Sequence, residues 1–555
     1  MRVFIIFLIA TTVSIANDFI PGEFVVLLKQ KTKQKRLKQL GGLSIKSAKS
    51  LNVKIGELYL VKTDKTLDHV TVLNQLKSDP MVKKAEPNYR YKLIEPIVES
   101  NTQFSDFKTT PSDSLWIQMW GLHNTGVNEP DRKPRDGPGV KGADISALKA
   151  WKFAGKDAGK VKVAVIDTGI DYTHPDLKSN MWINELEANG VPGVDDDENG
   201  YIDDVYGYDF ANLDGDPMDG HSHGTHCAGT IAARHDGAGS VGVVDRVQLV
   251  AVKFLADNGS GSLDRAIKAI DYAATVNVDI MSNSWGGGPY SEILESMIQY
   301  AANQGIIFVA AAGNSSLNND ITPQYPASYK VDNVISVGAL KAQNKLAEFS
   351  NYGKTSVHIA APGKRIISTT PKSKYRIFSG TSMAAPHVSG ALAMLVAREG
   401  RLPHLEMRDR LQRTSEPVQL LDGKISQRGR LDLYNLLTNT SPDRSDIPDP
   451  NNWVEFPVEK WETAHPYANE HSEWKQFQAI GAKFIRLKVN RIDLEKPYDR
   501  IDIYDKYKTL YGKATGYGTN KSFIHVPGDT LLLHFSTDNS YSKWGFEIDK
   551  VEVQF

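Results

Sequence analysis

The run Val161-Lys162-Val163-Ala164-Val165-Ile166-Asp167-Thr168-Gly169 decides the fold of this 555-residue chain. It reads as a short, buried parallel strand that ends in a carboxylate and a turn. Leu249-Val250-Ala251-Val252, Ile306-Ile307-Phe308-Val309-Ala310 and Val334-Ile335-Ser336-Val337 repeat the pattern further along. Helical stretches lie between them, Leu263 to Thr275 and Glu292 to Asn303 among them. Strands alternating with helices predict a three-layer α/β fold with a mainly parallel sheet. Ligands in such sheets collect beyond the carboxyl ends of the strands. Asp167 falls just past one such end and Asn314 just past another.

Three more segments give those positions a chemistry: His223-Gly224-Thr225-His226, Ala311-Ala312-Gly313-Asn314 and Gly380-Thr381-Ser382-Met383-Ala384-Ala385-Pro386. Asp, then His, then Ser is one of three unrelated chain orders in which a serine-nucleophile triad occurs. A serine hydroxyl needs a base within hydrogen-bond reach. His223 would take the Ser382 proton, and Asp167 would hold the imidazole in the useful tautomer. Asn314 would give one oxyanion hydrogen bond, and a backbone N–H at the helix start behind Ser382 another. Taken singly, each residue could be a loop cap, a satisfied polar residue or a turn residue. Together they resemble the motifs of the subtilisin-like serine proteases. In that family's His-Gly-Thr-His pattern the first His is catalytic, so His226 is expected to be structural. Asp171, His221 and Ser379 are neighbours that the motif passes over.

The resemblance also implies a cleft that takes a polypeptide as an added β-strand. Gly259, Ser260 and Gly261 match one wall and Ser284, Trp285 and Gly286 the other, with Ala312 and Gly313 at the primary pocket and Gln324 at its floor. Asp176, in His174-Pro175-Asp176-Leu177, matches the family's aspartate for structural calcium. Independently, Asp195-Asp196-Asp197-Glu198-Asn199-Gly200 resembles the early part of a calcium loop. Asp195, Asp197, Asn199 and Asp203 are the expected ligands, with Asp204 or Asp209 as substitutes; a plain acidic surface loop is the alternative. Cys227 matches the cysteine that the proteinase K-like subgroup carries beneath its catalytic histidine, and is expected to be a buried small hydrophobe.

Outward from this core the chain divides. Arg2, the apolar run Val3 to Ile9 and Ser14-Ile15-Ala16 have the layout of a signal peptide over residues 1–16. The run is shorter than the roughly 20 residues of a membrane span. Residues 17–108 read as a small α+β unit, in which Pro21-Gly22-Glu23-Phe24-Val25-Val26 and Ala85-Glu86-Pro87-Asn88-Tyr89 resemble the inhibitory propeptide of the same family. Processing is expected between Ser100 and Ser114. The catalytic domain is expected over 109–440 and a Pro/Asp/Asn-rich linker over 441–452. Residues 453–555 alternate polar and apolar positions as a β-sandwich does. There Tyr498-Asp499, Gly528-Asp529-Thr530-Leu531 and Gly545-Phe546-Glu547-Ile548 resemble a CUB-like domain, with Glu495, Asp499 and Asp538 resembling its calcium carboxylates.

The charge balance of 65 basic and 66 acidic residues lacks the basic excess of a nucleic-acid binder. One cysteine allows no intrachain disulfide, so an exported chain needs another brace, for which calcium is the expected choice. The expectation is a secreted, calcium-stabilised serine endopeptidase, working as a monomer and made as a zymogen. Its partners would be polypeptide substrates, its own propeptide and a surface, protein or glycan ligand of the C-terminal domain.

Overall fold

Successive residues of the Asp157–Asp167 strand point to opposite faces of the central sheet, and both faces are apolar. Val163 and Val165 pack in one core with the Thr381–Glu399 helix, while Ala164 and Ile166 pack in a second with the Leu263–Thr275 and Glu292–Asn303 helices. A sheet buried on both sides is what the continuous apolar runs require. The structure, a computed structural model, describes residues 18–99, 115–442, 448, 451–508 and 510–555. In spatial order the parallel strands are Ile359–Pro362, Val334–Lys341, Ile307–Ala311, Ile280–Asn283, Asp157–Asp167, Arg246–Lys253 and Gly207–Asp209. The Thr381–Glu399 helix is buried from Thr381 to Val396, so it runs through the core rather than over the surface.

Ahead of this sheet lies a small antiparallel one, in the order Val82–Leu93, Phe19–Leu28, Leu58–Lys62, Ser47–Ser50. Its strands also have two apolar faces. Phe24, Val26 and Leu28 meet the His69–Ser78 helix, which starts where the Asp68 carboxylate accepts the Thr71 N–H at 2.9 Å. Val25, Leu27, Leu58 and Leu60 join the core made by the Leu263–Thr275 and Glu292–Asn303 helices. The small sheet is therefore sandwiched between its own helix and the larger domain.

The chain divides into two compact units between Pro442 and Asp443. The second is a pair of four-stranded antiparallel sheets. One runs Val454–Glu462, Gly545–Gln554, Phe484–Asp493, Tyr517–Pro527; the other runs Ser472–Gln478, Thr530–Ser536, Arg500–Tyr504, Leu510–Ala514. Trp461, Ile485, Leu487, Ile501, Leu533 and Phe535 fill its core, so the alternation reflects a two-sheet sandwich. The expected signal peptide and processing segment, and most of the expected linker, lie outside the described residues. Among the described residues no helix is long and apolar enough to cross a membrane.

Candidate active site

Asp167 ends its strand at the carboxyl edge of the sheet, and His223 opens the His223–Ala232 helix. The two are brought together because Gly224 lets that helix press on the turn after Asp167: a Cβ at Gly224 would lie 2.1 Å from the Gly169 carbonyl oxygen. The His223 Nδ1 atom stands 2.8 and 3.0 Å from the two Asp167 oxygens, both side chains fully buried. Burial pushes the His223 pKa down, but the Asp167 charge, with Cys227 and the hydrogen bonds, outweighs it and holds the imidazole well above its ordinary value.

Asp219 braces this pair, a role that motif reading does not single out. Its carboxylate accepts from the Thr168 hydroxyl (2.9 Å), the His221 and Ser222 N–H groups (2.8 and 2.9 Å), and the Thr225 N–H and hydroxyl (3.0 and 2.6 Å). It thus ties the Asp167 turn to the first turn of the His223 helix. Only an Asp four residues before the helix hints at this in the sequence. His226 sits one turn along, with Nε2 near the Ile366 and Arg376 carbonyls at 3.1 and 3.2 Å; burial pushes its pKa down to about 3, so it stays neutral. The buried Cys227 thiol donates to the Ser382 carbonyl at 3.4 Å.

Ser382 lies in the first turn of the Thr381–Glu399 helix. Its hydroxyl donates to the Ile94 carbonyl at 3.0 Å, and the His223 Nε2 atom has no hydrogen-bond partner among the described residues. Asn314 is oriented by Thr381, whose N–H and hydroxyl both donate to its Oδ1 at 2.9 Å. That turns the Asn314 amide N–H into the cleft, where it donates to the Glu95 carbonyl at 3.1 Å.

Ile94 and Glu95 are there because the Val82–Leu93 strand runs antiparallel between the two expected walls. Tyr91 pairs with Gly261 and Lys92 with Ser260 on one side; Leu93 pairs with Trp285 and Lys92 with Gly286 on the other. The Leu93 N–H donates to Gly259 O at 2.8 Å, and the Ile94 N–H to Ser284 O at 3.4 Å. A cavity of about 320 Å³ beside Ile94 is lined by Gly286, Gly313, Asn314, Gln324 and Tyr325. Ala312 turns away from it into the core, with its carbonyl taken by Asn319 and Asn351.

The acidic loop gathers differently from its spacing. Glu187, Asp197 and Asp204 bring carboxylate oxygens within 4.8 Å of one another, and the Asn199 amide bridges Asp197 and Asp204 at 3.0 and 3.1 Å. Asp195 and Asp203 instead accept backbone N–H groups, from Gly200 (2.8 Å) and Gly193 (2.9 Å). Burial pushes Asp204 up to about 6. Asp176 is buried apart from this group, accepting from Ser240 N–H and Tyr375 hydroxyl, each at 3.0 Å; burial pushes it up to about 7. In the second unit the Asp499 carboxylate is taken by the Tyr467 hydroxyl and the Asp538 N–H.

A parallel sheet with a serine, a histidine and an aspartate at its carboxyl edge is the architecture of the subtilisin-like proteases, and comparison with known proteins agrees. Residues 158–444 match the subtilase family, and residues 9–88 match the fervidolysin N-terminal prodomain. The chain belongs to the subtilase family and is a subtilisin-like serine protease with a prodomain. It is 33% identical over 426 residues to the thermophilic serine proteinase of Bacillus sp. (strain AK1), covering 76% of this chain and 88% of that protein. It is 36% identical over 313 residues to subtilisin-like protease 1 of Plasmodium berghei, covering 53% of this chain and 51% of that one. The crystal structure of fervidolysin from Fervidobacterium pennivorans, described as a keratinolytic enzyme related to subtilisin, shares the fold. Its TM-score is 0.58 at 20% identity, over 92% of this chain and 85% of that one.

Proposed function

We propose that Asp167, His223 and Ser382 form the catalytic triad of an exported endopeptidase that is held as a zymogen by its own residues 17–108. One observation carries the reading: a strand of the chain's own prodomain lies across a fully buried Ser382, hydrogen-bonded on both edges as an extended substrate would be. While it lies there the Ser382 hydroxyl is engaged by Ile94 O, and His223 has no proton to accept. Once the strand leaves, the hydroxyl turns to His223 Nε2. His223 then takes its proton as Ser382 attacks the substrate carbonyl, Asp167 stabilises the imidazolium, and the Asn314 amide meets the oxyanion. His223 returns the proton to the leaving amine, and water repeats the cycle on the acyl-enzyme.

Glu187, Asp197 and Asp204 would hold the calcium expected of this loop, beside Asn199, whose amide nitrogen faces Asp197 and Asp204. The donors are all oxygen, as a hard cation requires, and the carboxylates face each other within one coordination sphere. A bound ion would neutralise the three carboxylates and pin the loop to the core. A catalytic domain over 109–440, export directed by residues 1–16 and a CUB-like unit over 453–555 complete the proposal.

The decisive experiment is the full-length chain beside Ser382→Ala, followed by intact mass and casein hydrolysis. Wild type should shorten itself and digest casein; Ser382→Ala should stay full length and lose about 10⁶-fold in turnover. Self-shortening and hydrolysis that persist in Ser382→Ala would refute the triad.

A further inference from the structure

Beyond Ser382 the chain does not leave the cleft. Ile97–Val98 adds to the edge of the Lys374–Ser379 strand, with Val98 opposite Phe378 and Ile97 opposite Ser379, and the Glu99 N–H donates to Ile377 O at 3.3 Å. The Glu99 side chain then turns inward, with only 13% of it exposed. One of its oxygens accepts the Ser379 hydroxyl at 2.6 Å, and the other lies 3.5 Å from Arg365 Nε.

Both partners are also held by residues other than Glu99. The Ser379 oxygen accepts the Arg365 N–H at 2.8 Å, which leaves its single hydroxyl proton to donate into the groove. The Arg365 side chain is 4% exposed, and its two terminal nitrogens are fixed by Glu129 at 3.2 Å and Asp136 at 2.7 Å. Among the described residues the Nε N–H has no hydrogen-bond partner, and it lies 3.5 Å from a Glu99 oxygen. A buried guanidinium with an unpartnered Nε–H beside an oriented hydroxyl fits a carboxylate.

The strand register fixes which residue this carboxylate belongs to. Leu93 and Ile94 make the last ladder bonds before the nucleophile, and the carbonyl that Ser382 faces is that of Ile94. Ile94–Glu95 is thus the bond nearest the nucleophile, with the Asn314 amide resting on the next carbonyl, that of Glu95. Glu99 is then the fifth residue beyond it. Building on the protease reading above, we propose that Ser379 and Arg365 form a subsite on the leaving-group side of the cleft, which takes an acidic side chain five residues beyond the cleaved bond of polypeptide substrates.

The probe is a synthetic peptide carrying residues 89–101, with Glu99→Gln and Glu99→Lys versions, digested by the self-processed enzyme and read by mass spectrometry. The parent peptide should be cut between Ile94 and Glu95. Glu99→Gln should lower kcat/KM about tenfold, corresponding to about 1.4 kcal/mol, and Glu99→Lys more. In the Ser379→Ala enzyme the difference between the Glu and Gln peptides should shrink. Equal rates for the three peptides would overturn the subsite. Cutting at another bond, or none in an enzyme that digests casein, would overturn the register. Failure on casein as well would instead count against the protease reading.

Discussion

In the proposed triad, His223 sets the pH behaviour of the enzyme. The Asp167 charge 2.8 Å away holds its pKa well above the ordinary imidazole value against the opposing effect of burial. The base form that accepts the Ser382 proton is therefore populated only above that raised value, and kcat/KM should climb with pH through it. Asp167→Asn removes the charge, so the acid limb of the profile should move to lower pH while kcat falls about 10⁴-fold. A limb that stays in place would mean that Asp167 does not set the His223 proton affinity. At this scale Asp167, His223, Asn314 and Ser382 could be picked out as candidates because each sits in a short motif whose small neighbours have a steric cause, as at Gly224. Asp219, Thr381 and Arg365 were not: their partners come from other loops, and nothing local in the sequence marks such a brace.

Among elements, the Glu292–Asn303 helix shows how the prodomain is held. Its first N–H groups are capped by Glu86 of the prodomain strand, which accepts from Glu292 N–H at 2.8 Å, Ile293 N–H at 3.3 Å and the Ser291 hydroxyl at 2.5 Å. In the full-length Ser382→Ala chain, Glu86→Ala should cost about 1–2 kcal/mol of docking, read as faster hydrogen exchange across residues 82–93. Unchanged exchange would mean that the strand ladder alone holds the segment. The strand itself was only partly legible: Ala85-Glu86-Pro87-Asn88-Tyr89 resembled a propeptide motif, but nothing in it marked a strand running from Val82 to Leu93. Its length depends on pairing with Ser260–Ser262 and Trp285–Gly286, more than 160 residues away in the chain. The acidic loop was harder still, because Glu187 enters from the preceding Glu185–Ala188 helix and takes the Asp196, Asp197 and Asp203 N–H groups.

For the whole molecule, a single cysteine leaves no intrachain disulfide, so an ion held in the proposed acidic loop would act on lifetime. Calcium at 100 times its Kd would add about 2.7 kcal/mol to the folded state. With a chelator present, thermal inactivation of the processed enzyme should therefore accelerate, and the Asp197→Asn enzyme should inactivate as fast as chelated wild type whether or not calcium is added. An inactivation rate that ignores both calcium and the substitution would remove the ion from this loop. The broad architecture was legible because each sheet leaves a different mark: doubly buried parallel strands give continuous apolar runs, and the two-sheet C-terminal unit gives alternation. How much of the small N-terminal sheet is apolar on both faces could be counted from the sequence, but what covers its second face could not.

That second face has a consequence for activation. Val25, Leu27, Leu58 and Leu60 are dry only while the catalytic helices cover them. Once severed and detached, the prodomain would carry a bare greasy face into water and lose part of what keeps it folded. An unfolding chain is the easiest of meals for a protease. Activation would then be a ratchet: the piece that restrained the enzyme is spoiled by leaving it, and cannot readily return to rearm the lock.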